Sequence, residues 1–303
     1  MRTRTLGPLE VSVVGLGCNN FGGRIDEEAT FAVVDAAIDA GVTFFDTADI
    51  YGGQGGSEEL IGRALQGRRD RVVLATKWGK PMGDGAGRRG SRAYILGALA
   101  ASLRRLQTDV IDLYQHHEED PETPLEETVA TIEELVAEGT IRAWGTSNYR
   151  PETIERVRAL ASAAYVSEQS EYSLLRRDAE AELLPACERL GLGFIPYFPL
   201  ASGLLTGKVS RDAPPAAGTR LHGREISHAD LERVEQLRAW ADAHGRSLLE
   251  VSIGGLLATD PVVSVIAGAT KPEQVTANAG AGDWEPSRAE LTDLREVSDT
   301  KGV

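Results

Sequence analysis

The sequence predicts a single α/β domain folded as a (β/α)8 barrel, or TIM barrel. Short apolar segments alternate with helical segments eight times, and no linker-like or low-complexity run divides them. The length of 303 residues suits one large barrel. We therefore expect one domain over residues 1–303, with an N-terminal β-hairpin and a long insertion between strands seven and eight. An open doubly wound sheet is the structural alternative, because it shares this alternation.

The hairpin and the strands are predicted from turn residues and apolar runs. Gly7-Pro8 separates two short β-like segments near the N-terminus, which is typical of a hairpin. The eight buried strands are predicted at residues 13–17, 44–46, 72–76, 111–115, 141–146, 165–168, 193–196 and 262–266.

A helical segment follows each predicted strand, and several carry an end signal. Gly41 follows the first helix, Ser57 is a candidate cap of the second, and Pro151 suits a first helical turn. The helices are predicted at residues 27–40, 57–65, 91–106, 125–138, 151–161 and 179–190, at 231–243 and 248–258 in the insertion, and from Pro272 onward.

Composition and charge narrow the classes of function. The formal net charge of −14 disfavours a general nucleic-acid or anionic-membrane surface. Cys18 and Cys187 lack C-x-x-C spacing and suit a reducing compartment. The N-terminus lacks the continuous apolar core of a signal peptide, and the apolar stretch 251–270 is interrupted by Asp260-Pro261. We therefore predict a cytoplasmic protein with no nucleic-acid or membrane partner, and both a monomer and a homo-oligomer stay open.

Candidate catalytic side chains follow three successive predicted strands. Asp46 and Tyr51 stand in FFDTADIYG, Lys77 in LATKWG, and the histidines 116 and 117 in DLYQHHEED. Each alone has a structural interpretation: a helix cap with a packed tyrosine, a solvated lysine, and packed histidines. The carboxyl ends of barrel strands meet at one face, however, so the side chains are expected to converge.

This set of residues suits proton transfer coupled to carbonyl reduction. A tyrosine has an ordinary pKa near 10, and a nearby cation lowers it, which favours proton donation at neutral pH. Lys77 is the expected cation, Asp46 would hold its ammonium group, and a histidine would orient the carbonyl oxygen.

These motifs resemble those of the aldo-keto reductases, and the resemblance extends from the RTLG hairpin to Asn278. The catalytic tetrad of that family matches Asp46, Tyr51, Lys77 and His117. The family histidine stands five residues after the aspartate of the D-L-Y segment, which selects His117 over His116. The neighbouring position is usually apolar in the family.

The resemblance implies that NADPH is the cofactor, with NADH as the second choice, and that Phe21 and Trp78 bind substrate. Lys271 supplies a cation for the 2′-phosphate, although Gln274 stands where many members have arginine. The implied cofactor-binding residues are Ser147, Asn148 and Gln169 for the carboxamide, Tyr197 for the nicotinamide ring, Phe198, Leu200, Ser202, Gly203 and Leu205 for the pyrophosphate, and Gly268, Lys271, Gln274 and Asn278 for the adenosine ribose.

Other nucleotide motifs are incomplete. Asn20 stands where a dinucleotide fingerprint beginning at Gly15 requires its third glycine, and GLLTGK is one residue short of a P-loop. Four loop arginines are interpreted as solvated charges, with contact to an anionic substrate as the alternative: Arg88, Arg89, Arg220 and Arg224.

The sequence therefore predicts an NADP-dependent oxidoreductase that reversibly reduces the carbonyl of an aldehyde, ketone or sugar-type substrate. The alternatives are an NADP-binding, redox-sensing regulatory subunit with little turnover, and a lyase in which Lys77 forms a Schiff base.

Overall fold

The computed structural model describes residues 1–83, 85, 87–211 and 213–299, so the last four residues of the predicted domain lie outside the described residues. The predicted hairpin is present. Strands β1 (Thr3–Leu6) and β2 (Leu9–Ser12) pair antiparallel across Gly7-Pro8. Gly7 has a φ of 56°, a conformation that favours glycine and that the tight turn requires.

Eight parallel strands form the barrel, in the spatial order β10-β3-β4-β5-β6-β7-β8-β9. The backbone amide of Phe194 donates to Pro261 O at 3.0 Å, and Val263 N donates to Phe194 O at 2.9 Å, which joins β9 to the segment just before β10. The (β/α)8 prediction is confirmed, and the open doubly wound alternative is wrong. The strands are β3 (Val14–Gly17), β4 (Phe44–Asp46), β5 (Val73–Trp78), β6 (Ile111–His116), β7 (Ile141–Ser147), β8 (Tyr165–Glu171), β9 (Gly193–Tyr197) and β10 (Val265–Gly268).

Helices surround the barrel, and the insertion between β9 and β10 carries two of them. Side-chain caps define several starts, such as Asp26 before α1 and the Ser247–Glu250 capping box of α9. The helices are α1 (Glu27–Asp39), α2 (Tyr51–Gln54), α3 (Gly56–Ala64), α4 (Arg92–Leu106), α5 (Leu125–Ala137), α6 (Pro151–Leu160), α7 (Leu183–Leu190), α8 (His228–Ala243), α9 (Leu248–Leu257), α10 (Pro272–Ala281) and α11 (Arg288–Asp299). Among the described residues, none of these helices combines the length and the apolarity that crossing a membrane requires.

Three local expectations are wrong. Ser57 does not cap a helix, because it lies inside α3, where its hydroxyl donates to Cys18 O at 2.9 Å. The predicted helix 179–190 is divided into a 3-10 turn at Asp178–Glu180 and α7. The last strand begins at Val265, because residues 261–263 bond to β9 to close the barrel.

The barrel interior has an apolar lower part and a polar upper layer. Hairpin residues Leu6, Leu9 and Val11 pack with inward-facing strand residues such as Phe44 and Leu113, so the hairpin closes the bottom of the barrel. The upper layer contains Asp46, Gln115 and Gln169, which come from the alternate strands β4, β6 and β8 and are each at most 2% exposed.

Candidate active site

The four predicted catalytic residues lie at the carboxyl ends of adjacent strands. Asp46 ends β4 and Lys77 is the penultimate residue of β5. Tyr51 is the first residue of the short helix α2, and His117 directly follows β6. Because β4, β5 and β6 are neighbours in the barrel, the chain brings these residues to one mouth.

Lys77 and Asp46 form a buried ion pair. Lys77 Nζ lies 2.6 Å from Asp46 Oδ2, and the side chains are 0% and 3% exposed. The ammonium group also donates to Thr47 O at 2.8 Å. Burial lowers the pKa of Lys77, but the charges of Asp46 and Tyr51 outweigh burial and leave that pKa above its ordinary value. Lys77 is therefore a fixed positive charge at neutral pH.

Tyr51 is partly buried beside this charge. Lys77 Nζ lies 5.2 Å from the centroid of its ring. Burial raises the pKa of Tyr51, the charge of Lys77 lowers it, and the net pKa lies above the ordinary value of 10. The sequence led us to expect that the charge of Lys77 would lower the pKa of Tyr51 below its ordinary value. This expectation is wrong, because burial of the phenol has the larger effect on the pKa. The phenol consequently keeps its proton at neutral pH.

His117 is a neutral imidazole next to Tyr51. The two rings meet edge to face with centroids 5.9 Å apart. Burial, helped by the charges of Lys77 and Lys80, lowers the pKa of His117 to about 2. The backbone of His117 is held on both sides, because its amide donates to Trp78 O at 2.8 Å and its carbonyl accepts from Asn148 Nδ2 at 3.0 Å.

His116 has a different environment from His117. Its ring stacks on Trp78 with centroids 4.7 Å apart and planes 5° apart, and its Nδ1 lies 2.7 Å from the hydroxyl of Tyr149. Burial lowers the pKa of His116 to about 4. Gly79, with a φ of 107°, leaves room for the ring, since an added Cβ would lie 2.6 Å from His116 Cδ2. The contacts of His116 are therefore those of a packed core residue.

Gln115 is a site residue that the sequence reasoning missed. Its Nε2 donates to Asp46 Oδ1 at 3.0 Å. Gln169 Nε2 donates to the same oxygen at 3.0 Å and to Gln115 Oε1 at 3.1 Å. The carboxylate thus receives Lys77 on one oxygen and two amides on the other.

The residues predicted to bind the carboxamide and the nicotinamide ring lie at the carboxyl ends of the neighbouring strands β7, β8 and β9. Asn148 has a φ of 61°, and its Nδ2 donates to Ser147 Oγ at 3.0 Å. Tyr197 donates its hydroxyl proton to Asn148 Oδ1 at 2.8 Å and keeps a partly exposed ring. Asn148 therefore fixes the orientation of the Tyr197 ring, while Gln169 directs its amide group toward Asp46.

The predicted pyrophosphate loop has an unusual backbone. Phe198, Ala201, Ser202 and Gly203 have φ values of 51°, 45°, 60° and 114°. Such angles are uncommon for residues other than glycine and often occur at ligand-binding sites. Leu200 O accepts the amides of Gly203 at 2.8 Å and Leu205 at 3.2 Å, which holds the loop in a tight turn.

Arg220 is a second residue that the sequence reasoning misjudged. It is half-buried rather than solvated, and it donates to Asn19 Oδ1 at 3.1 Å and to Asn20 Oδ1 at 3.0 Å. Its guanidinium lies 5.3 Å from the centroid of the Phe198 ring. A positive charge is thus fixed next to the predicted pyrophosphate loop.

The predicted adenosine segment follows β10 and leads into α10. Gln274 Oε1 accepts from Thr270 N at 2.7 Å, Lys271 is exposed immediately before α10, and Asn278 is buried. Gly268 lies against Asn20, because an added Cβ would be 3.2 Å from Asn20 Nδ2. In this arrangement Gln274 stabilises the start of the helix, and Lys271 remains the exposed cation of the segment.

The two predicted substrate-binding aromatics are deeper in the structure than expected. Phe21 and Trp78 are both 0% exposed, and Trp78 is stacked between His116 and Tyr114. Neither ring presents a face to the mouth in this structure, so their contact with a substrate stays a prediction. In the predicted site, the rings of Tyr51 and Tyr197 are partly exposed and the ring of Phe198 is exposed.

The residues at the mouth fit a nicotinamide dinucleotide. An aromatic face suits a flat ring, amide and hydroxyl groups suit a neutral carboxamide, and a left-handed loop next to Arg220 suits phosphate oxygens. The aromatic, amide and hydroxyl groups come from the ends of β7, β8 and β9, opposite the charged pair on β4 and β5, and the loop and Arg220 belong to the insertion after β9.

Comparisons with known proteins identify related chains. The family model described as Aldo/keto reductase family matches residues 13–299. The holo form of aldo-keto reductase AKR11C1 from Bacillus halodurans is 36% identical, with a TM-score of 0.83 over 98% of this chain and 96% of that chain. The uncharacterized oxidoreductase YqkF of Bacillus subtilis (strain 168) is 38% identical over 291 residues, 93% of this chain and 92% of that protein. A probable voltage-gated potassium channel subunit beta of Oryza sativa subsp. japonica is 36% identical over 307 residues, 94% of this chain and 92% of that protein.

Proposed function

The chain belongs to the aldo/keto reductase family of oxidoreductases, and we propose that it uses NADPH to reduce the carbonyl group of an aldehyde, ketone or sugar-type substrate to an alcohol, reversibly. The observation that carries this proposal is the buried Lys77–Asp46 pair beside a protonated Tyr51. We propose that the protein works in the cytoplasm on small molecules, as a monomer or homo-oligomer.

In the proposed reaction, NADPH when bound would supply the hydride for the reduction of the carbonyl carbon. Tyr51 donates its phenolic proton to the carbonyl oxygen, and the adjacent charge of Lys77 stabilises the phenolate that remains. Asp46 holds the ammonium group in place. Because His117 is neutral, its imidazole can orient the carbonyl oxygen by a hydrogen bond without adding a competing charge.

The remaining predicted residues would hold the cofactor. Ser147, Asn148 and Gln169 would bind the carboxamide, and the Tyr197 ring would pack on the nicotinamide. The left-handed loop that contains Phe198, Leu200, Ser202, Gly203 and Leu205 would meet the pyrophosphate. Gly268, Lys271, Gln274 and Asn278 would border the ribose. Lys271, the cation of the predicted ribose segment, favours NADPH over NADH, because the 2′-phosphate adds negative charge.

Replacing Tyr51 by Phe tests the proposal. The change removes the acidic proton but keeps the ring, so Tyr51→Phe should lose at least about 100-fold in turnover, the usual contribution of a general acid. NADPH binding, followed by quenching of tryptophan fluorescence, should stay at the wild-type level. The activity assay is a panel of sugars, small aldehydes and ketones, with NADPH and NADH oxidation followed in parallel. Wild-type turnover in this variant would refute the assignment of Tyr51.

A regulatory role is the second candidate, favoured by the similarity to a probable voltage-gated potassium channel subunit beta. A regulatory subunit could keep the same barrel and tetrad and bind NADPH with little turnover. Tight NADPH binding without reduction of any substrate in the panel would support it. Steady turnover of several carbonyl compounds would count against it.

A Schiff-base lyase fits the site less well. That chemistry requires a neutral lysine amine, whereas the pKa of Lys77 lies above its ordinary value and its ammonium is paired with Asp46. Borohydride should therefore trap no covalent adduct on Lys77 in the presence of carbonyl substrates.

A further inference from the structure

Gln115 lies beneath the candidate active site and contacts both Asp46 and Gln169. We propose that Gln115 is a positioning residue that fixes the Gln169 amide so that its carbonyl oxygen can receive the carboxamide N–H of the nicotinamide ring. This inference rests on the proposed function, which places the carboxamide at Gln169. The side chains of Gln115, Gln169 and Asp46 form a triangle of three hydrogen bonds between 3.0 and 3.1 Å.

The orientation of both amides follows from their partners. A carboxylate only accepts hydrogen bonds, so the Nε2 group of Gln115 must face Asp46 Oδ1, and its Oε1 then faces Gln169. The Nε2 group of Gln169 meets two acceptors, Asp46 Oδ1 and Gln115 Oε1. If the Gln169 amide were rotated by 180°, its carbonyl oxygen would face two other acceptors, Asp46 Oδ1 and Gln115 Oε1, and both hydrogen bonds would be lost. The carbonyl oxygen of Gln169 is therefore directed away from Asp46.

Packing alone does not require an amide at position 115. Inward-facing positions of barrel strands are usually filled by branched apolar side chains, and a buried amide is unfavourable unless it is hydrogen-bonded. Leu113, two residues earlier on β6, follows that rule and lies in the apolar interior. Gln115 is 0% exposed, and both its Nε2 and its Oε1 form hydrogen bonds with residues of the proposed site, Asp46 and Gln169.

Removing Gln115 should change which ligand the protein prefers more than it changes folding. Without the carbonyl of Gln115, Asp46 Oδ1 is the one acceptor left of the two that hold the Gln169 amide, so the orientation of the amide is fixed less firmly. Recognition of a carboxamide N–H should then weaken. A ligand without that N–H should be affected less.

The experiment compares binding of NADP+ with binding of its 3-acetylpyridine analogue, which has a methyl group in place of the carboxamide NH2. Dissociation constants are measured by quenching of tryptophan fluorescence. We expect the wild type to prefer NADP+ by about fivefold to tenfold, the usual contribution of one hydrogen bond. In Gln115→Leu the preference should fall to about twofold or less. Gln169→Leu should lose it as well, and the double variant should show no further loss, because the two residues act as one unit.

Leu113→Met is the matched control, since it alters the same strand interior without touching Asp46 or Gln169. It should keep the wild-type preference. Thermal unfolding confirms that each variant is folded, and Gln115→Met, which is unbranched and of similar length, replaces Gln115→Leu if the latter does not fold.

The outcomes separate this inference from the proposed function. A folded Gln115→Leu variant with the wild-type preference would overturn the role of Gln115 and leave the proposed function standing. A wild type that binds both ligands equally would also overturn the inference. A wild type that does not bind NADP+ would overturn both.

Discussion

The buried pair of Lys77 and Asp46 makes a quantitative prediction about stability. Replacing Lys77 by Met removes the ammonium but keeps much of the apolar stem, and it leaves the Asp46 carboxylate inside the barrel. The pair is 2.6 Å apart with side chains 0% and 3% exposed. Removing one partner of such a buried pair usually costs about 3–5 kcal/mol. Lys77→Met should therefore lower the free energy of unfolding by about that amount at neutral pH.

Urea unfolding followed by circular dichroism measures this loss. The double variant Asp46→Asn/Lys77→Met should recover most of the stability, because neither charge remains, while reductase activity stays absent in both variants. The control is Arg63→Met, which breaks an ion pair with Glu27 whose side chains are 44% and 49% exposed and should cost less than about 1 kcal/mol.

Two results would refute this reasoning. A Lys77→Met variant within about 1 kcal/mol of the wild type at neutral pH would mean that the interior tolerates an unpaired carboxylate. A double variant no more stable than the single one would mean that the loss comes from packing around Lys77 rather than from charge.

Three further predictions concern neighbouring residues. Burial and then Glu58 raise the pKa of Asp49 to about 7, so the folded state holds this proton longer than the unfolded state, and stability falls as pH rises from about 4 to 7. Asp49→Asn should therefore raise the free energy of unfolding at pH 8 by up to about 4 kcal/mol, which a higher melting temperature would show. Near pH 4 the melting temperature should stay unchanged. Gly79→Ala should lower the melting temperature more than Gly67→Ala, because both have positive φ but only at Gly79 does the added Cβ meet His116. Arg220→Ala should weaken NADPH and NADH binding by a similar factor of about ten, because the pyrophosphate is common to both cofactors; fluorescence quenching at low salt measures the two dissociation constants.

The sequence predicted the barrel because its signals are local. The aromatic pair before Asp46 predicts β4 at the observed bounds, and Gly7-Pro8 predicts the hairpin. Errors arose where a distant contact decides the outcome. Serine is a common helix N-cap residue, but the hydroxyl of Ser57 donates a hydrogen bond to Cys18 O inside the core.

In the candidate site, too, residues with a local sequence signal were predicted and those defined by distant contacts were missed. The motif positions of Asp46, Tyr51, Lys77 and His117 can be read from short segments, and their convergence follows from the order of the strands. Gln115 carries no local signal, because its partners Gln169 and Asp46 lie 54 and 69 positions away in the chain.

The direction of the pKa shift of Tyr51 could not be predicted from the sequence. Burial and the charge of Lys77 act on the pKa of Tyr51 in opposite directions, and only the three-dimensional structure shows that burial is the larger effect. Likewise, only the structure shows that His116 packs between Trp78 and Tyr149 and so has a different environment from His117, its neighbour in the chain.

The chemistry-bearing residues of this barrel are also part of its core, and this determines how variants should be interpreted. Asp46, Lys77, Gln115 and Gln169 are each at most 2% exposed, so a substitution at any of them alters packing and hydrogen bonding together with chemistry. Loss of turnover alone therefore does not distinguish a catalytic residue from a structural one at this site. Charge-neutral double variants separate the electrostatic contribution to folding, and binding of matched cofactor analogues separates positioning from folding. Tyr51 is only partly buried, and Tyr51→Phe keeps the ring, so for that residue loss of turnover with intact NADPH binding bears directly on the proton-donating step.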